Sequence, residues 1–131
     1  MTWGDLRAAE RGGMQFGAHT LTHPVLSRTS DGQAQSEIVE SWSRLRAMAS
    51  APVPIFAYPN GMADDFGSRE IAACRESGLE GSLVSTIGYA EIDAAPDTPY
   101  LLRRFPYIQS GTAALECVSG LERLKALLQQ R

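Results

Sequence analysis

The chain has 131 residues, of which 21% are charged and 44% apolar, with a formal net charge of −3. That size predicts one domain, able to bury a core but small for a complete enzyme barrel. The charge balance argues against nucleic acid as a partner, no apolar run reaches membrane-spanning length, and residues 1–20 lack the basic and apolar regions of a signal peptide, so the chain as written reads as cytoplasmic.

Thr2 is a predicted N-cap for a short amphipathic helix carrying Trp3, Leu6, Arg7 and Ala9, ended by Gly12 and Gly13. Met14 to Gly17 reads as a short strand, followed by a polar loop, 19–30, that holds Pro24. From about Ser30 or Asp31 to Ala49 the apolar residues Ile38, Trp42, Leu45 and Ala49 recur at spacings of three and four, which predicts a helix with one buried stripe. Glu37, Glu40, Arg44 and Arg46 are read as its solvated face. Pro52 and Pro54 close that helix, and Val53 with Ile55, Phe56 and Ala57 makes a second strand, broken by the turn residues Tyr58-Pro59-Asn60-Gly61.

The next predicted helix runs from about Ser68 to Ser77, with Ile71, Ala72 and Cys74 inward and Gly78 as its stop. Residues 81–85 form a third strand, 88–99 an irregular polar loop, and 101–105 a fourth strand bearing Arg103 and Arg104. A C-terminal helix from about 112 to 130, broken near Gly120, presents Leu121, Leu124, Leu127 and Leu128. The two cysteines, Cys74 and Cys117, have no CxxC spacing and read as small apolar residues. Short apolar strands alternating with amphipathic helices predict an α/β fold with a parallel sheet, in which function gathers at the C-terminal ends of strands.

Both histidines, His19 and His23, lie four residues apart at one such end. If the backbone coils for one turn after Ala18, the two imidazoles share a face and reach one cation. The alternative is a pair of loop histidines with ordinary hydrogen bonds.

The stretch Phe16-Gly17-Ala18-His19-Thr20-Leu21-Thr22-His23-Pro24-Val25-Leu26-Ser27 resembles the second motif of the polysaccharide deacetylases, the NodB-homology or carbohydrate esterase 4 group, whose pattern is H-[ST]-x-[ST]-H. Phe56-Ala57-Tyr58-Pro59-Asn60-Gly61 resembles the third motif in its FAYPxG variant, and Leu102-Arg103-Arg104-Phe105 a late-strand segment of the same subgroup. The resemblance implies a partial or distorted (β/α) barrel of the deacetylase type, with its first strands missing. It implies a hydrolase that removes N- or O-acetyl groups from a polysaccharide or oligosaccharide by metal-activated water. On that resemblance His19 and His23 bind a divalent metal, Zn²⁺ foremost, and the backbone amide of Asn60 donates to the oxyanion. Tyr58 and Pro59 shape the substrate wall, and Arg104 takes the charge-organising place of the motif arginine, which is Ala57 here.

The departures shape the functional expectation as much as the matches. The family's first motif, T-F-D-D-G, supplies the third metal ligand and the catalytic base, and no such stretch precedes Trp3. Asp64 and Asp65 are assigned to the loop and the next helix start, and no histidine follows His23. Two neutral ligands should hold zinc weakly, because ligand number and charge are both short. Activity is therefore expected to need the missing Asp-Asp segment, from a longer chain with an envelope-associated setting or from a second copy pairing through an exposed sheet edge. The alternative is a catalytically silent carbohydrate-binding or assembly module derived from the same family.

Overall fold

The computed structural model describes residues 1–90, 97–105 and 110–120. Its first helix, α1 (Trp3–Arg11), begins with the expected Thr2 cap: the Thr2 hydroxyl accepts the Asp5 N–H at 3.2 Å, and the Asp5 carboxylate accepts the Thr2 N–H at 2.7 Å. Reciprocal bonds of this kind satisfy two amides that a helix start leaves open. Helix α2 (Asp31–Met48) is capped by Ser30, and α3 (Ser68–Glu76) ends before Gly78, which adopts φ 80°. Helix α4 is Gly111–Val118, and the predicted apolar face at Leu121 to Leu128 lies outside the described residues.

Strands β1 (Ile55–Ala57) and β2 (Gly81–Leu83) pair in parallel, Phe56 opposite Ser82. Neither outer segment predicted as a strand forms one. Residues 14–17 carry no bridge, the contact with Phe56 falling just beyond them at Ala18, and 101–105 keep a single bridge, Leu83 to Leu102, both parallel. The reason is local. Before Ala18 the chain is still leaving α1 through Gly12 and Gly13, and after Leu102 it runs into exposed arginines with no further ladder partner among the described residues. The spatial order is thus the Ala18 segment, β1, β2 and the Leu102 segment. The α/β reading stands, in the form of an open parallel sheet rather than a closed barrel among the described residues.

One face of this sheet carries the core. Ala18, Phe56, Tyr58 and Val84 point to it, and Leu6, Ala34, Ile38, Trp42, Leu45, Ile71 and Cys74 meet them from the helices. The alternation of buried Phe56 with half-buried Ile55 and Ala57 is the two-residue period of a strand. On the opposite face Gly17, His19, Ile55, Ala57 and Leu83 line a hollow of about 240 Å³.

Two readings need correction. Glu37, expected on the solvated face of α2, is buried at 5% exposure. The stripe of α2 that faces the core includes positions 34, 37, 38, 41, 42 and 45, so the helical period carries Glu37 inward with Ile38. The irregular loop before Leu101 contains a 3₁₀ turn, Thr98–Tyr100, in which the buried Tyr100 hydroxyl donates to Leu79 O at 2.9 Å. Glu40 and Arg44 do lie outside, paired at 3.6 Å. No helix among the described residues is long and apolar enough to cross a membrane.

Arg69, half exposed at the start of α3, ties three elements. It donates to Leu26 O at 2.8 Å and Thr29 O at 2.9 Å, pairs with Asp31, and meets the buried Glu70 carboxylate at 2.7 Å. The close approach of the sheet edge is set elsewhere, at Gly17, where a Cβ would fall 2.5 Å from Ile55 O. Gly17→Ala must therefore push the Ala18 segment off β1, and overpacking of this kind costs about 1–3 kcal/mol. Urea denaturation of the variant should show that loss, whereas Gly32→Ala, with open space around its Cβ, should not lose it.

Candidate functional site

The Ala18 segment delivers His19 to the end of β1. Three backbone bonds hold it: Val53 N–H to Phe16 O at 2.9 Å, Ala18 N–H to Ile55 O at 3.0 Å, and Ala57 N–H to Ala18 O at 2.9 Å. His19 Nδ1 then lies 2.7 Å from Ala57 O. A carbonyl can only accept, so Nδ1 carries the proton, and in the neutral ring Nε2 is the nitrogen with the free lone pair. This is how metal-binding histidines are commonly fixed in tautomer and ring orientation.

The loop between the histidines is not the helical turn expected from their spacing. Thr20 and His23 adopt φ 63° and 60°, and the chain bends through Leu21 and Thr22. The Thr20 hydroxyl donates to His19 O at 2.5 Å and accepts the His23 N–H at 3.1 Å, a local turn made by the side chain. The two rings still come together, with centroids 4.8 Å apart in an edge-to-face arrangement, and both residues are exposed. The loop is supported from beneath by Glu37. Its Oε2 accepts the Leu21 N–H at 2.6 Å and the Thr22 N–H at 2.9 Å, and its Oε1 accepts the Thr22 hydroxyl at 2.5 Å. Burial alone would raise the Glu37 pKa, but these bonds outweigh it and hold the carboxyl below its usual range.

The Tyr58–Gly61 turn faces the same end of the sheet. Asn60 and Gly61 take φ 57° and 71°, and the Gly61 N–H bonds Pro59 O at 2.6 Å, closing a tight three-residue turn around Asn60. At Gly61 a side chain would meet both the positive φ and Ser85 N at 2.9 Å, so only glycine fits. The Asn60 N–H carries no hydrogen bond among the described residues, and Asn60 is exposed.

The other predicted site residues are placed differently. Tyr58 and Pro59 are buried, and the Tyr58 ring stacks on Phe66 at 3.9 Å with the planes 1° apart. Burial, with the Cys74 thiol beside it, pushes the Tyr58 phenol far above its usual pKa, so it stays neutral. Arg104 is exposed and donates to the Ser85 hydroxyl at 3.1 Å, beside the backbone bond from Ser85 N–H to Gly61 O at 2.8 Å. Asp64 and Asp65 serve the loop: their carbonyls take the Ser27 hydroxyl at 2.7 Å and the Ser27 N–H at 2.9 Å. The Cys74 thiol is fully buried, and burial pushes it up to about 11. Among the described residues no group of three or more His, Cys, Asp or Glu side chains is placed to hold a metal ion.

The strand-end histidine loop, the free amide of the following turn and the parallel α/β frame can be compared with known proteins. The family model described as polysaccharide deacetylase matches residues 1–78. The chain belongs to the polysaccharide deacetylase family. Among solved structures, the Streptococcus pyogenes deacetylase PplD in complex with acetate shares the fold, with a TM-score of 0.76 at 20% identity. The likeness covers 89% of this chain and 50% of the PplD chain, so this chain spans about half the length of that deacetylase. No curated protein matches it.

Sequence reasoning missed Glu37 and Arg69 in this deacetylase-family chain. The signal for Glu37 was available, since its place on the stripe of Ala34, Ile38 and Leu45 marks it as inward. Because the folded Glu37 pKa is depressed below 4.5, its stabilisation is present above that value and is lost as pH falls through the lower folded value. Thermal melts of wild type and Glu37→Gln should therefore diverge above pH 4.5 and converge in more acidic buffer.

Proposed function

We propose that this chain carries part of a metal-dependent site for removing acetyl groups from a carbohydrate, with His19 and His23 as its imidazole ligands. The observation that carries the reading is the His19 Nδ1 contact with Ala57 O, 2.7 Å long. It leaves Nε2 as a donor atom, and it does so on a ring 4.8 Å from the second imidazole. Family membership and the fold shared with a deacetylase support the reaction class.

The donor chemistry fits a borderline ion such as Zn²⁺. Bound by these two imidazoles, such an ion would supply Lewis-acid polarisation of an acetyl carbonyl. The protein's own part is to hold and to donate. The Ala57 carbonyl keeps the His19 proton on Nδ1. The Asn60 N–H, fixed by the tight turn at Gly61, is a preorganised donor for the oxygen that gains charge when the acetyl carbon becomes tetrahedral. Tyr58 and Pro59 act from the core, setting the backbone of that turn. Arg104, through Ser85, is assigned to the wall on the β2 side, where its charge attracts polar substrate groups.

A carboxylate is needed to complete the ligand set and to take the proton from water. We place its entry at the open edge of the Ala18 segment. There the N–H and C=O of Gly17 point away from β1 and carry no hydrogen bond among the described residues. A second reading, a silent carbohydrate-binding module, is favoured by the donor count, since the described residues offer two ligands and no third.

Calorimetric titration with Zn²⁺ tests the ligand assignment. Binding is expected in the wild type and lost in both His19→Ala and His23→Ala; unchanged binding in both variants refutes the assignment. Acetate release from an N-acetylated oligosaccharide separates the two functions. With a carboxylate-bearing segment supplied at that edge, the hydrolase reading expects zinc-dependent release abolished by His19→Ala, and the silent module expects none.

A further inference from the structure

Glu37 is a buried charge whose every hydrogen bond among the described residues runs to one short piece of loop. Its carboxylate accepts two amides and one hydroxyl from Leu21 and Thr22. Among the described residues no arginine or lysine is ion-paired with it. Burying an ionised carboxylate is costly unless its oxygens are satisfied, so the placement implies a constraint on whatever satisfies it. Here the constrained object is the two-residue span between the left-handed residues Thr20 and His23. Two successive amides converging on one oxygen form a concave donor pair that an extended backbone does not make.

We propose that Glu37 is the positioning residue of the histidine pair. By collecting the Leu21 and Thr22 donors it holds the left-handed conformations at Thr20 and His23, and those conformations bring the two rings together. The proposal rests on the reading of His19 and His23 as metal ligands, but its physical effect is on the loop before any ion arrives. The carboxylate touches neither imidazole in any bond of the structure, so it acts through the backbone.

The effect is confined to the middle of the loop, because the two ends are held by other groups. Ala18 is fixed by β1, and the far end is fixed by Arg69 on Leu26 O and Thr29 O and by the Asp65 carbonyl on Ser27 N–H. Removing the Glu37 acceptor therefore loosens Leu21 and Thr22, leaving only the Thr20 hydroxyl to hold the bend, without releasing either flank. A glutamine at this position restores the geometry without the charge. Its carbonyl accepts both amides, and its NH₂ donates to the Thr22 hydroxyl, which can accept as well as donate.

The test compares Glu37→Ala, Glu37→Gln and a core control, Ile71→Val, in the full chain. It reads Zn²⁺ affinity by calorimetry and, without metal, the ¹H–¹⁵N signals of the His19 ring. Glu37→Ala should weaken Zn²⁺ binding by about tenfold or more, as loss of outer support does at metal sites, and should move the His19 Nδ1–H signal. Glu37→Gln should stay near wild type in both readouts, and Ile71→Val should leave both unchanged despite its own loss of stability. The proposal is overturned if Glu37→Ala leaves the ring signal in place, or if Ile71→Val moves it equally. Should Glu37→Ala fail to fold, Thr22→Val removes one of the three donors, and the same ring signal must shift in the same direction. If the wild type binds no Zn²⁺, the ligand reading fails, while the metal-free ring signal still decides the role of Glu37.

Discussion

Ala57 is bonded twice to the segment that carries the first histidine. Its N–H donates to Ala18 O and its C=O accepts His19 Nδ1–H, at 2.9 and 2.7 Å. One residue at a strand end thus fixes the register of the outer segment and the orientation of a functional ring. Side chains alternate between faces, so a slip by one residue would put Ala18 on the open face and drive His19 toward the core. The packing behind resists that slip, because Ala18 and Phe56 are both inside the core cluster. The location of the site therefore depends on a ladder of three backbone bonds, made tight by the missing side chain of Gly17.

The helices were legible because their signals are redundant. Ser30 ahead of a stripe at Ile38, Trp42 and Leu45 states both where α2 begins and which way it faces. The outer strands were legible only as positions: residues 14–17 and 101–105 hold too few apolar residues to reveal how far a ladder extends, and pairing depends on partners distant in sequence. The histidine loop shows the same limit. An i, i+4 spacing suggested a helical turn, but the Thr20 hydroxyl competes for the local backbone groups and a left-handed bend wins. The rings do lie 4.8 Å apart, but through a left-handed bend rather than the helical turn on which the expectation of a shared face rested. Glu37 was misread because residue type was given more weight than its place on the stripe.

All three described non-glycine residues with positive φ, Thr20, His23 and Asn60, lie in the two loops that follow adjacent parallel segments. Each such conformation costs of order 1–3 kcal/mol and persists only where surrounding bonds over-determine it. The compensation is visible at each place. Glu37 and the Thr20 hydroxyl hold the first loop, while the Gly61 bonds to Pro59 O and from Ser85 N–H hold the second. The strain is thus concentrated at the strand ends where parallel α/β sheets carry function, and the frame beneath it is ordinary.

The open side of the sheet links two shortages. The described residues leave the apolar hollow lined by Ile55, Ala57 and Leu83 uncovered and the outward N–H and C=O of Gly17 without partners. A further parallel strand added at that edge would satisfy the Gly17 groups and cover part of the hollow. Parallel strands end on the same side, so the last residues of such a strand would emerge beside His19. The described residues are short of a carboxylate at that same place, as the third donor of the proposed metal site. On the proposed reading, one pairing event would complete both the sheet and the ligand set, and the backbone edge of Gly17 would belong to that site with the two imidazoles.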